Sequence, residues 1–411
     1  MRITILAFGT RGDIQPFVAL GLALQATGHV VRMVTHASFY DFVTQYGLPC
    51  ATIDIDFRKA WQAQDKPGIH LPSVYRLVRD HTMQALLAMW AGSQDAEALI
   101  CNYMGRVPGR HIAERLGVPT FVSTIHPHQM DFFYGNRYFN DVGEPVRNLK
   151  ESFLDRMIEL IYMQVFNRWR KTTLRLPLAP WLGNDRWLLE RQTPILCSWS
   201  PVAAPKRPEW PEWVHVTGYW FLAHPATWQP PADLLAFLEA GPPPVTIGFS
   251  SVTHLEVADM NALLLEALAM AGQRGIITAG WTDLGQQATL PNTVYAAQSL
   301  PHDWLFPRVC IAVHHGGVGT TGAALRAGIP SVIIPFVVDE PFWAWRVNQL
   351  GAGPPGIPPK QLSALRLAEA LKLVVNDPAM HARAAELGRQ IRTEDGLANA
   401  VELFHRYVKG A

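Results

Sequence analysis

The chain has 411 residues, 49 % of them hydrophobic and 17 % charged, with 35 Lys and Arg against 34 Asp and Glu for a net charge of +1. That length holds roughly two to three domains, and the composition excludes a disordered chain. With no basic excess, it also argues against a nucleic-acid-binding protein. The first element, Ile3–Phe8, is too short for a signal-peptide core and is followed at once by Arg11 and Asp13, so it reads as a strand. It ends in the glycine loop Gly9-Thr10-Arg11-Gly12-Asp13. Phe17, Leu20 and Leu24 then fall at i, i+3 and i+7, which predicts a helix over Phe17–Ala26 that Gly28 stops, although Gly21 weakens the pattern. Val30–Val34 is the next strand. This βαβ opening predicts an α/β fold with a parallel sheet and helices on both faces.

Leu99–Cys101 and Thr120–Val122 read as further strands. Residues 127–190 break the alternation. Phe132-Phe133-Tyr134 and Tyr138-Phe139 precede Phe153–Arg175, a stretch at helical spacing that looks like an insertion. Its Arg168, Arg170, Lys171 and Arg175 fit a solvated helix packed on the domain, or a helix lying on a membrane surface. Pro201–Pro231 is rich in proline and tryptophan and reads as a linker. Beyond it the alternation restarts. Val245–Phe249, Gly275–Thr278, Val309–Val313 and Ser331–Ile334 read as strands; Asn261–Ala271, Gly319–Ala327 and Phe342–Leu350 read as helices. Three helical segments, Ser363–Val375, Pro378–Arg392 and Leu397–Tyr407, close the chain.

The expected organisation is two Rossmann-like domains, 1–205 and 233–390, joined by a linker over 206–232 and followed by a terminal helical segment, 391–411. Ligands of open parallel sheets bind at the carboxyl ends of the strands, so the cleft between the halves is the expected site. No run of 18 apolar residues occurs, so no transmembrane helix is expected and a cytoplasmic location is the default. Cys50, Cys101, Cys197 and Cys310 form no CxxC pair, so zinc, iron–sulfur and disulfide frameworks are not expected.

Three constellations carry chemistry. His314-His315-Gly316-Gly317-Val318-Gly319-Thr320-Thr321 follows a strand and opens a helix. Glycines let backbone amides approach a phosphate, the helix N-terminus adds positive potential, and Thr320 suits both the cap and a phosphate oxygen. The same residues also fit a capped glycine turn beside a buried histidine. Asp339-Glu340 follows the next strand, where carboxylates suit sugar hydroxyls or simply a helix N-terminus. Asp13 stands after the first strand, where it suits a general base, but Asp13-Ile14-Gln15-Pro16 is equally a good helix N-cap. Neither glycine loop is a GxGxxG fingerprint and no Walker sequence occurs, which argues against a dehydrogenase or a kinase.

Taken in order, these segments resemble a known family. They are Gly9–Phe17, Gly218-Tyr219-Trp220-Phe221, Gly248-Phe249-Ser250-Ser251, Pro301-His302-Asp303-Trp304-Leu305-Phe306-Pro307, the double-histidine loop and Asp339-Glu340-Pro341-Phe342-Trp343. The chain resembles a GT-B glycosyltransferase of the UDP-sugar-dependent family 1. The likeness is to the branch of sterol 3-β-glucosyltransferases and vancomycin-group antibiotic glycosyltransferases. The resemblance implies that Asp13 is the catalytic base and that Thr10 and Arg11 face the donor phosphates. It implies that Ser251, His315, Gly317, Val318, Gly319 and Thr320 hold the diphosphate, His302-Asp303-Trp304 the nucleoside, and Asp339 and Glu340 the sugar. His314 is an extra histidine. The donor is a UDP-sugar or dTDP-sugar as co-substrate, glucose being the expected sugar, with no cofactor and no metal. Two positions depart from the pattern. Glu340 stands where the family has glutamine, and a carboxylate cannot donate, so the sugar contact changes. Ser250 stands where glycine is usual.

The implied reaction is inverting. Asp13 deprotonates an acceptor hydroxyl, which attacks the anomeric carbon opposite the departing diphosphate, giving a β-glycoside. The acceptor is expected in the first half, where Trp61, Tyr75, Trp90, Phe132, Phe133 and Tyr134 suit a flat lipophilic sterol, terpenoid, polyketide or phenolic, or simply fill the core. His126 and His128 lie nearby. Closure of the domains over the donor is expected, as is a last helix that crosses back to the first domain. A monomer is the expected state, and contact with a membrane surface is left open. Two other readings keep the fold: a nucleotide-sugar epimerase or hydrolase, and a non-catalytic nucleotide-sugar-binding partner protein.

Overall fold

A computed structural model of the protein describes residues 1–54, 71–127, 129–130, 162–179, 190–249, 257–279, 290–336 and 339–409. Two parallel sheets organise it. The first has seven strands: β1 (Arg2–Leu6), β2 (Val30–His36), β3 (Cys50–Ile53), β4 (Ala98–Asn102), β5 (Thr120–Thr124), β6 (Ile195–Cys197) and β7 (Val214–Val216). Their order is β3-β2-β1-β4-β5-β6-β7. The second sheet has β8 (Val245–Gly248), β9 (Gly275–Thr278), β10 (Val294–Ala297), β11 (Ile311–His314) and β12 (Ser331–Ile333), in the order β10-β9-β8-β11-β12. The first five strands of each sheet thus share one winding, with the switch between β1 and β4 and between β8 and β11. Ile3 and Ile5 lie in one core cluster and Leu6 in another, so β1 is buried on both faces and carries Thr4 inside as well.

The described helices, in chain order, are α1 (Arg11–Ala26), α2 (Tyr40–Thr44), α3 (Leu71–Ala91), α4 (Arg106–Leu116), α5 (Ala232–Glu239), α6 (Val257–Ala271), α7 (His302–Leu305), α8 (Val318–Ala327), α9 (Glu340–Gln349), α10 (Ala364–Val375), α11 (Pro378–Arg392) and α12 (Gly396–Lys409). Helix α1 starts six residues before the expected Phe17. Thr10 is its N-cap residue and Asp13 its third helical residue, so the acidic cap is present but one turn earlier. Pro16 lies inside the helix and removes only the amide that would reach the exposed first turn. Gly21 fits the helix because an added Cβ would lie 3.0 Å from Leu48 Cδ1.

The proline-rich stretch expected as a linker holds β7, the edge strand of the first sheet, at Val214–Val216. Prolines are tolerated beside an edge strand because its outer amides have no ladder partner to lose. The described part of the 127–190 segment is helical over 162–169 and ends in a π-turn, Arg170–Leu174. Its apolar side chains Val165, Phe166 and Trp169 pack in a core cluster with Leu86 and Ile112. Arg170 is buried and holds Glu114 at 2.6 and 3.0 Å and His111 at 2.6 Å, so it is a structural anchor and not part of a surface stripe. Among the described residues no helix is long and apolar enough to cross a membrane.

The last helix, α12, returns to the first domain and packs on α1. Its Phe404 ring sits 5.0 Å from Phe121, and His405 Nε2 lies 2.8 Å from His29 Nε2. The chain passes between the domains at two places that touch each other. Gly218, with φ +105°, packs its main chain on Gly396 at the start of α12. Ser200 donates to Glu394 at 2.6 Å, and Asn399 donates to the Thr217 carbonyl at 2.9 Å. A Cβ on Gly396 would come within 2.7 Å of the Gly218 carbonyl oxygen, a backbone atom that cannot rotate away. Gly396→Ala should therefore destabilise the protein by about 1–3 kcal/mol despite alanine's better helix propensity. Urea unfolding of the two proteins checks this, and an unchanged midpoint would contradict it.

Candidate active site in the cleft

The first half of the site hangs from the end of β1. Gly9 turns the chain with φ +127°, and a Cβ there would occupy the space of the Asp13 carboxylate. Gly9 donates its amide to His36 Nε2 at 3.3 Å. Asn102, from the end of β4, donates to the Phe8 carbonyl at 2.6 Å and accepts the Gly105 amide at 2.9 Å. His36 and Asn102 thus pin the loop from the two neighbouring strands. Neither stood out in the sequence, because each lies alone at the end of an apolar strand.

Asp13 is half-buried at the mouth of this loop. Its Oδ2 accepts the Thr10 amide at 2.8 Å and the Thr10 hydroxyl at 3.0 Å. Both bonds fall on one oxygen, which leaves Oδ1 to accept another proton. Burial raises the Asp13 pKa above the ordinary carboxylate value; the Thr10 bonds and His126 oppose this, and Asp339 from the other domain adds to it. Asp13 and Asp339 therefore feel each other across the cleft. His126 is buried, and its pKa is pushed down to about 4 by that burial, which leaves it neutral at pH 7. Arg11 is exposed, lies 4.8 Å over the Phe42 ring and donates to Gln15 at 3.3 Å.

The second half hangs from the end of β11. His314 and His315 are both buried, and Gly317 is the N-cap of α8 without a side-chain cap. Thr320 is therefore the third helical residue and not the cap expected from the sequence; glycine needs no side chain to make this turn. The first helical amide bond runs from Thr321 to Gly317 at 3.0 Å, so the amides of Val318, Gly319 and Thr320 remain for a ligand. Open space surrounds the Gly319 Cα. Burial pushes the His315 pKa down to about 4, so at neutral pH the positive potential comes from the helix amides and not from an imidazolium.

Asp339 is the N-cap residue of α9 and accepts from Trp343 Nε1 at 3.1 Å. Glu340 is buried, with Oε2 accepting the Phe336 amide at 2.5 Å. His302 stacks on Phe306 at 4.5 Å, and the cleft walls, followed by the Arg11 charge, lower its pKa. Asp303 has a structural duty: it accepts from the His224 amide at 3.1 Å and holds the His224 ring at 2.8 Å. Trp304 is packed between Trp228, at 5.3 Å, and the Arg308 guanidinium, at 4.4 Å. His224 and Trp228 lie more than seventy residues away in the chain, so no local pattern announces them. A cavity of about 70 Å³ lies at the β8–β11 switch, with Thr246, Thr278, Gln298, His302, His314 and Thr320 among its walls. Ser251, Trp61, His128, Phe132 and Phe133 lie outside the described residues. Among those described, no group of three or more His, Cys, Asp or Glu is placed to hold a metal ion.

Two sheets of one winding, with glycine loops meeting at their carboxyl ends, define the GT-B class of glycosyltransferase folds. A kitacinnamycin glycotransferase shares the fold at TM-score 0.72 and 20 % identity, over 98 % of each chain. The calicheamicin glycosyltransferase CalG4 shares it at TM-score 0.72 and 19 % identity, over 100 % of this chain and 98 % of that one. Residues 3–133 match the glycosyltransferase family 28 N-terminal domain, and 262–400 match the erythromycin biosynthesis protein CIII-like C-terminal domain. Sterol 3-beta-glucosyltransferase UGT80B1 of Arabidopsis thaliana is 34 % identical over 432 residues, covering 99 % of this chain and 68 % of its own. That of Aspergillus terreus is 32 % identical over 427 residues, and this chain spans 30 % of its length. The chain belongs to the sterol 3-β-glucosyltransferase family.

The raised Asp13 pKa carries a stability consequence. A carboxyl whose folded pKa lies above its unfolded value of about 3.8 weakens the fold once pH rises through that interval. Asp13→Asn keeps an oxygen for Thr10 and removes the charge. It should melt about 1–2 °C higher than the parent at pH 8, with the gap closing by about pH 3. Melting curves across that range test it, and a gap independent of pH would contradict it.

Proposed function

We propose that the protein is an inverting glycosyltransferase that moves a hexose, glucose first, from a nucleoside-diphosphate sugar to a hydroxyl of a lipophilic acceptor such as a sterol. The observation that carries this is the placement of Asp13 at the β1–β4 switch, opposite Asp339 and the amide-rich start of α8. A proton acceptor, a pair of sugar-reading carboxylates and an anion site then share one cleft. Glucose and a sterol are favoured by the names of the relatives, and a diphosphate donor by the neighbours solved with thymidine diphosphate.

In this reading Asp13 Oδ1 takes the proton of the acceptor hydroxyl. The acceptor oxygen forms a bond to the anomeric carbon while the bond to the diphosphate breaks on the opposite face. The electron pair leaves with the diphosphate, whose charge meets the amides of Val318, Gly319 and Thr320 and the neutral imidazole of His315. An α-linked donor gives a β-glycoside. Thr10 keeps Asp13 in one orientation, and Asp339 raises its basicity from across the cleft. The first domain takes the acceptor and the second the donor. Asp303 serves by bracing the His224 segment against α7.

A screen of UDP- and dTDP-sugars against sterol, polyketide and phenolic acceptors, read by mass, tests the proposal. The expected product is a conjugate that falls about 10²- to 10⁴-fold in Asp13→Asn. Free sugar or an epimer without a conjugate would replace the reading with hydrolysis or epimerisation. The base must be ionised to act, so activity should fall on the acid side at a pH above the ordinary aspartate range.

Glu340→Gln offers a second test. The amide oxygen of glutamine can still accept from Phe336, so the fold should hold. Its added N–H restores a donor, and kcat/KM for UDP-glucose should rise by about tenfold relative to other donors. An unchanged donor ranking would remove Glu340 from sugar selection.

A further inference from the structure

The loop between β11 and α8 carries one histidine that the proposed reaction does not use. His314 ends β11 and is 1 % exposed. Its Nδ1 accepts the amide hydrogen of Gly316 at 3.1 Å. A ring nitrogen that accepts is unprotonated, so the neutral ring carries its hydrogen on Nε2. That Nε2 is buried and makes no hydrogen bond among the described residues. A side chain needed only to fill this volume would be apolar, because an unpaired buried N–H is costly. A nitrogen is therefore required here, and the bond it makes is to Gly316.

Gly316 is the sharp point of the loop. Its φ is +100°, and a Cβ there would meet Ile333 and the main chain of Glu340. Gly317 follows as an N-cap with φ −59° and ψ 142° and no side-chain cap. Two consecutive glycines leave a chain with wide conformational freedom unless something holds it. His315, whose ring rests against Gly317, and the open amides of α8 depend on that short stretch for their direction.

We infer that His314 is a positioning residue for the diphosphate site: by accepting the Gly316 amide it locks the glycine turn that presents His315 and the α8 amides to the anion. This rests on the donor-site reading above. His314 itself touches no reacting atom.

The test compares wild type with H314F, H314A and H314N in calorimetric titrations with UDP and with dTDP, alongside unfolding midpoints and steady-state kinetics. Phenylalanine and alanine remove the acceptor, whereas the asparagine Oδ1 can stand in for Nδ1. The acceptor-less variant, phenylalanine or else alanine if the former does not fold, should bind the diphosphates about tenfold more weakly. H314N should stay within about threefold of wild type. Donor KM should rise in the weak variant while acceptor KM holds. An acceptor-less variant that binds like wild type overturns the inference alone, and so does an H314N as weak as H314F or H314A. A wild type that binds neither diphosphate removes the donor-site reading and this inference together.

Discussion

At the ends of β1 and β11 the main chain turns through left-handed glycines, and the cleft is built in the space their missing side chains leave. At Gly9 that space is filled by the Asp13 carboxylate, and at Gly316 by Ile333 and the backbone of Glu340. No residue with a Cβ fits either position. The turns bring the first amides of α1 and α8 to the crevice at each sheet's switch point. Everything chemical in the site follows: Thr10 is placed to hold Asp13, and α8 is placed with its amides open. The flanking strand ends then pin the turns through His36 and Asn102 on one side and His314 on the other.

The cleft is also a place where the fold accepts cost. Asp13 is held partly out of water with another carboxylate facing it from the second domain. Two histidines at the anion site, His314 and His315, are buried and kept neutral by that burial. A protein selected for stability alone would place apolar side chains in these positions. The surrounding cores offset the cost, above all the cluster in which Trp199, Tyr219, Trp220, Val318, Phe342 and Phe404 join both domains.

Much of this was legible in the sequence. The two βαβ starts, both glycine loops and the acidic pair are local patterns whose physics sits within ten residues. What was not legible is of two kinds. The strands β3, β6, β7 and β10 lie at or next to the edges of their sheets, outside the βαβ starts, and β7 lies among prolines. Helix α1 starts earlier than its apolar period shows, because its capping pair, Thr10 and Asp13, lies seven and four residues upstream of Phe17. The other kind is long-range pairing. Asp303 reaches His224 across 79 residues and Arg170 reaches Glu114 across 56, and no local pattern announces either. The motif around Asp303 shows nothing of the bonds that its Oδ2 accepts from the His224 amide and ring.

The two chain crossings between the domains meet glycine on glycine, at Gly218 and Gly396. Both covalent links therefore pass through one small volume, beside the Ser200–Glu394 bond. Because α12 starts there and lies on α1, it is packed with the first sheet although it comes last in the chain. The chain thus crosses twice at one point, and its last fourteen helical residues are a piece of the first domain delivered by way of the second.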